Sequence, residues 1–183
     1  MHMKHRLARR QRGASLLEVL VSILLLSFGM LAMAGLHAAS LRYGKMAQFR
    51  SVAMQMATDL TDRMRANAAA AVSGSYNFSQ AYTSTPPAVT VPACAVPTAC
   101  TAAEMAAIDL AQWRNQARLA LPGAGLMVSQ DAAVANVLNV WVMWLDPQAA
   151  EAATDGVTLN SQCPGTIGTP NPAPQCMFLR VAL

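Results

Sequence analysis

Three patterns of hydrophobic and polar positions succeed one another along the chain. Val19 to Leu36 is an apolar run without a charged side chain. At the rise of an α-helix, about twenty such residues cross the roughly 30 Å hydrocarbon core of a bilayer. Between Ala14 and about Ala71 there is no proline, and beyond the run Met46, Phe49, Ala53, Met56, Leu60 and Met64 recur at spacings of three and four. That spacing lays them along one stripe of a helix, with Arg50, Asp59, Asp62, Arg63 and Arg65 off it. The pattern predicts one helix, membrane-spanning over residues 14–36 and amphipathic over 37–72. Such a helix is about 85–90 Å long, far more than a bilayer needs. Its outer half must pack on something, and a sheet from the same chain is the economical partner.

Residues 73–100 break this pattern. Ser73-Gly74-Ser75, Thr85-Pro86-Pro87, Pro92 and Pro97 make the stretch too rich in Ser, Thr, Pro and Gly to continue a helix, and it reads as a long surface connection. Thr101 with Glu104 three residues later is a capping-box signature, and Ala106, Leu110, Trp113, Ala117 and Leu121 follow at helical spacing. A second helix is expected over about 102–120, stopping at Leu121-Pro122-Gly123. The period then switches to two, which predicts strands over about 126–129, 137–145 and 177–181. In the middle strand Leu138, Val140, Val142 and Trp144 share one face, and Asn139, Trp141 and Met143 the other. Asp146 to Gln175 reads as a loop. The expected fold class is α+β: a long N-terminal helix packed on a C-terminal antiparallel β-sheet, with an additional helix and disulfide-bounded loops, the globular domain taking residues 73–183.

Charge divides the chain in the same way. The formal net charge is +4, but Lys4, Arg6, Arg9, Arg10 and Arg12 precede Gly13 with no acid among them, leaving eight basic against nine acidic residues beyond it. Basicity concentrated before an apolar run fixes orientation across a membrane, with a cytoplasmic N-terminus and an exported C-terminus. Arg63 and Arg65 have Asp59 and Asp62 beside them and read as a solvated helix face, so no nucleic-acid partner is expected.

Cys94, Cys100, Cys163 and Cys176 lie on the exported side of the run, where disulfides form and persist. Two bridges are expected. The sequence leaves all three connectivities open, although Cys94 to Cys100 and Cys163 to Cys176 would each close a short Pro-containing loop. Zinc is disfavoured, because neither spacing is C-x-x-C and no histidine lies near either pair. No metal site or cofactor is expected. Beyond Gly13 the only histidine is His37, so a histidine-based triad in the soluble part is excluded. Asp109, Asp131, Asp146, Glu151 and Asp155 show no paired spacing, and no phosphate-cradling glycine loop occurs. No catalytic residues are assigned, and the chain is not expected to be an enzyme.

Glu18 is the informative exception within the apolar N-terminus. A carboxylate in hydrocarbon costs at least about 2.5–3.5 kcal/mol unless a partner compensates it. A general secretory signal, with a cut after Ala32-Met33-Ala34, conflicts with Glu18 and with the length of the run. A plain signal anchor explains the length and leaves Glu18 unexplained. A basic leader ending in glycine, glutamate at the fifth position after it and about twenty apolar residues resemble the class III signal of type IV prepilins and pseudopilins. The resemblance implies that a prepilin peptidase cuts after Gly13 and that the new amine of Ala14 is methylated. It also implies a cation for Glu18, the N-terminal amine of a neighbouring subunit. Major pilins usually carry proline where this chain has Gly35, and often phenylalanine where it has Ala14.

The stretch Met56 to Asn67, closing on Asp62-Arg63-Met64-Arg65-Ala66-Asn67, resembles the helix signature of PilV-type minor pilins. Cys100 followed by Ala107-Ile108-Asp109-Leu110-Ala111-Gln112-Trp113 is similar to the same group. The resemblance implies a pilin-like fold and a low-abundance subunit that primes or caps a type IV pilus in twitching motility and adhesion. It would work with other minor pilins, the major pilin and a large tip adhesin. Its implied location is the inner membrane, single pass with a periplasmic C-terminal domain, and then the pilus tip. Asp62 and Arg63 become subunit-contact residues in this reading, against a plain helix-surface salt bridge worth about 0.3–0.5 kcal/mol. Two other expectations stand beside it: a minor pseudopilin of a type II secretion system, and an exported binding protein with an ordinary signal peptide.

Overall fold

The computed structural model describes residues 15–83, 85–96, 99–145, 162–165 and 173–183. In chain order the elements are α1 (Leu16–Ala66), α2 (Ala68–Val72), β1 (Phe78–Gln80), α3 (Ala102–Ala120), β2 (Gly125–Gln130), β3 (Val137–Trp144) and β4 (Gln175–Ala182). The chain divides into two compact units, one ending at Leu41 and the other running from Arg42 to Leu183.

The first unit carries the apolar part of α1. An 18-residue window there has a mean hydropathy of 2.4, and none of it is buried. Leu17 is 72% exposed and Leu36 is equally so. An apolar surface of this extent is matched by lipid or by other apolar helices, not by water.

The second unit has one core. Ala53, Met56, Ala57, Leu60 and Met64 of α1 enter it together with Ala106, Trp113 and Ala117 of α3. The sheet contributes Leu126, Val128, Leu138, Val140, Val142, Met177 and Val181. The expected stripe on α1 is its buried face from Ala53 to Met64, with Phe49 packed against the edge of the core and Met46 half-buried outside it. Four strands lie in the order β1-β2-β3-β4, and every neighbouring pair is antiparallel. Period-two alternation sends Leu138, Val140, Val142 and Trp144 inward, as their shared face predicts. On the opposite face the register aligns Ser79, Met127, Trp141 and Phe178 across all four strands. Trp141 and Phe178 meet there with ring centroids 5.0 Å apart.

Two features depart from the expected layout. The segment read as an uninterrupted connection over 73–100 contributes β1, whose Phe78 pairs with Val128. Arg114 of α3 holds this strand, its guanidinium 4.6 Å above the Phe78 ring and its Nε 2.9 Å from Gln80 Oε1. The long helix also ends earlier than 72: α1 stops at Ala66, and α2 resumes after Asn67. Asn67 turns its amide to the carbonyl of Ala102 at 2.7 Å, which draws the chain toward the start of α3. After α3 the chain reverses through Gly123 at φ +61°, a left-handed conformation that glycine takes without strain. Cys94 is bonded to Cys100 and Cys163 to Cys176, the two local pairings among the three connectivities.

Candidate assembly site

The first turn of α1 positions Glu18. Its N–H donates to the carbonyl of Ser15 at 2.9 Å and to Ser15 Oγ at 3.2 Å, so a serine just ahead of the helix serves its free amides. The hydroxyls of Ser22 and Ser27 donate back to the carbonyls of Glu18 and Ile23 at 2.7 and 2.8 Å. Both donors are thereby satisfied within the helix. The Glu18 carboxylate has no partner among the described residues. A carboxylate on an apolar surface is costly in hydrocarbon unless a cation compensates it. Gly13 and Ala14, where cleavage and methylation are expected, lie outside the described residues.

A second group of polar side chains joins α1 to α3. Arg63 is the hub: its Nε donates to Asp59 Oδ2 at 2.9 Å, and its Nη1 to Asp109 Oδ1 at 3.1 Å and Gln112 Oε1 at 2.9 Å. The buried Tyr76 hydroxyl donates to the other oxygen of Asp109 at 2.6 Å. Nearby, the indole Nε1 of Trp113 donates to the carbonyl of Met56 at 2.9 Å. Burial works against the charge of Arg63, but bonds and attraction from Asp59 and Asp109 outweigh it and hold its pKa above the ordinary value. Burial first, and then the bond to Asp109, push the Tyr76 phenol up to about 12. Arg63 is thus engaged inside the chain, whereas Asp62 and Arg65 on the same turns are exposed.

In the sequence Asp109 reads as an acid without paired spacing, inside the Ala107–Trp113 stretch. Its signal was its position: it falls between Ala106 and Trp113 at helical spacing, on the face of α3 that turns inward. A carboxylate among such neighbours calls for a donor, here supplied twice over.

Glu104 ties the start of α3 to the first disulfide loop. Its carboxylate accepts from the N–H of Ala95 and the N–H of Thr101, both at 2.8 Å, while its own N–H donates to Thr101 Oγ1 at 3.2 Å. The capping box read from the sequence is complete. The amides of Ala95 and then Thr101 hold this carboxyl below its ordinary pKa. Among the described residues no group of three or more His, Cys, Asp or Glu side chains is placed to hold a metal ion.

A helix whose first half is an exposed apolar surface, whose second half packs on an antiparallel sheet, and whose accompanying loops are closed by two disulfides has the architecture of the pilin fold. This architecture fits a helix-anchored structural subunit. Residues 36–111 match the family described as type IV pilin Tt1218, and residues 8–34 match the prokaryotic N-terminal methylation motif. Fold and matches together support a type IV pilin, and the proteins of that family are structural. The motif implies processing by the prepilin peptidase and assembly with other pilins, and the apolar helix fits a membrane-anchored subunit that enters the pilus. No curated protein and no solved structure matches the chain.

Proposed function

We propose that the protein is a minor pilin of the PilV type, which primes or caps a type IV pilus with other minor pilins and supports twitching motility and adhesion. The observation that carries this reading is the joining of α1 to α3. The two segments that resemble PilV-type minor pilins, Met56 to Asn67 and Ala107 to Trp113, are the two held together by Arg63, Asp109, Gln112 and the Trp113 indole. Their likeness therefore follows one structural unit rather than two unrelated stretches.

In this reading the prepilin peptidase cuts after Gly13 and methylates Ala14. The apolar half of α1 then holds the subunit in the inner membrane, with its C-terminal domain in the periplasm. On assembly Glu18 pairs with the N-terminal amine of a neighbouring subunit. In low dielectric such a pair is strong, and losing one partner leaves a costly unpaired charge. Arg63 sets the α1–α3 surface, and exposed Asp62 is the group left to contact a neighbour. The neighbours are other minor pilins, the major pilin and a tip adhesin, and the subunit's place is the pilus tip.

The test is Glu18→Ala in the native host. Processing is expected to continue, with intact mass placing the N-terminus at Ala14 with one added methyl group, while piliation and twitching are lost. Normal piliation by the variant refutes the mechanism, and an N-terminus at Gly35 refutes the pilin reading altogether. Loss of exoprotein release with normal twitching on deletion of the gene assigns the subunit to a type II secretion system instead.

A further inference from the structure

The two edges of the sheet are built differently. At one edge β1 is only three residues long, and a short strand presents few free backbone groups. At the other, β4 runs for eight residues. The N–H of Leu183 donates to the carbonyl of Asn136 at 3.0 Å, while the N–H of Asp131 donates to that of Val137 at 2.8 Å. Hydrogen-bonding residues alternate along an antiparallel ladder, so the even-numbered residues of β3 serve β4 and the odd-numbered ones serve β2. In β4 this turns the backbone groups of Leu179 and Val181 toward β3, opposite Val140 and Leu138. It leaves those of Phe178, Arg180 and Ala182 facing outward, with no further backbone bond among the described residues.

Beside this edge runs a groove of about 210 Å³, lined by Thr58, Thr61 and Arg65 of α1 and by Leu179, Arg180 and Val181 of β4. Its lining includes the Arg65 guanidinium and no carboxylate, whereas the Arg180 side chain lies with Phe178 on the opposite face of the sheet. Arg180 is tied to Asp131 at 3.0 Å, whereas Arg65 is exposed and forms no ion pair among the described residues. On the opposite face of the same edge, Phe178 is 39% exposed beside Trp141.

We propose that β4 accepts an added strand from a partner polypeptide, an extended acidic segment whose backbone pairs with the outward groups of Phe178, Arg180 and Ala182. Side chains of an added strand alternate between the faces of the sheet. Those on the helix side meet Arg65 across the groove, which selects a carboxylate there. Those on the other side lie against Phe178, which selects an apolar residue. The preference for acid comes from the charge of the lining, and the preference for an extended chain from the free backbone groups. The surface stands on these observations independently of the pilus role proposed above.

The experiment uses the full-length chain in detergent micelles and a terminally blocked peptide of alternating Val and Glu, labelled for fluorescence anisotropy, with its Val/Lys counterpart as comparison. The Glu peptide is expected to bind about ten-fold or more tighter, a preference Arg65→Glu abolishes. Hydrogen exchange at the amides of Phe178, Arg180 and Ala182 is expected to slow when the Glu peptide is bound. Ala182→Pro removes one outward N–H without touching an inward bond and is expected to weaken both peptides alike. Because Arg65 is exposed, Arg65→Glu keeps the test valid even where the proline variant misfolds. Equal affinity for the two peptides, or unchanged exchange at the three amides, overturns the proposal. Protection that rises with protein concentration in the absence of peptide overturns it too, because the occupant is then a second copy of the chain.

Discussion

Removal of the Asp109 carboxylate tests the junction between α1 and α3 quantitatively. Asp109 is buried and serves two donors, Tyr76 at 2.6 Å and Arg63 at 3.1 Å. In Asp109→Ala the Tyr76 hydroxyl is left buried without its acceptor, at a cost of about 1–3 kcal/mol. Arg63 loses a charge-assisted bond but keeps Asp59 and Gln112, so its share lies toward the low end of the usual range, about 1–1.5 kcal/mol. The total is a destabilisation of roughly 2–4.5 kcal/mol. In a Tyr76→Phe background there is no hydroxyl to orphan, so the same truncation should cost about 1–3 kcal/mol less, and that difference is the coupling energy of the pair. Urea unfolding of the full-length protein in micelles, followed by tryptophan fluorescence, measures it. Trp113, Trp141 and Trp144 are the only tryptophans, and all lie in the Arg42–Leu183 unit. Coupling below about 0.5 kcal/mol means that the phenol and the carboxylate act independently, which refutes the reasoning.

Tyr76 also sets a limit in alkali. Its folded pKa of about 12 lies above the ordinary 10.0, so its contribution is complete below pH 10 and is lost as the pH rises toward 12. The loss amounts to roughly 2–3 kcal/mol and should vanish in Tyr76→Phe, as checked by unfolding across that range. In acid the sign is reversed. Glu104 and Asp131 have folded pKa values below their ordinary 4.5 and 3.8, so their stabilisation is present above those values and is lost as the pH falls through the lower folded ones. Glu104→Gln should flatten the acid limb of the pH–stability curve. Gly125→Ala would place a methyl group 2.9 Å from the Tyr82 backbone and should destabilise by about 1–3 kcal/mol, measurable by the same unfolding assay.

What could be read from the sequence was local. The capping box of Thr101 and Glu104 requires residues three apart, and the inward face of β3 requires only alternation within one strand. Both are written in short stretches of chain. β1 is three residues long, less than two full periods of alternation, and is defined by pairing Phe78 with Val128 far along the sequence. The break at Asn67 has the same character, since nothing in its neighbours ends a helix and the deciding acceptor is the distant Ala102 carbonyl. Arg63 looked like one more charge on a solvated face because its partners Asp109 and Gln112 lie on another helix. The disulfide pairing, open to three solutions in the sequence, is decided by which cysteines the fold makes neighbours. Glu18 was legible for the opposite reason: a carboxylate in an apolar run stands out with no structure at all.

With Ser22 and Ser27 bonded back to their own helix, the first half of α1 presents a predominantly apolar surface with few directional groups. Leu, Val, Ile and Met side chains give similar contact at many axial offsets, so two such helices slide past each other across a flat energy profile. In the proposed pairing of Glu18 with a neighbouring amine, one carboxylate changes that profile into a single narrow well, which low dielectric keeps deep. A bundle fastened in this way resists slippage along its axis while leaving rotation about it comparatively free. In that proposed bundle the axial spacing is set by one point charge per strand rather than by the shape of the surfaces in contact.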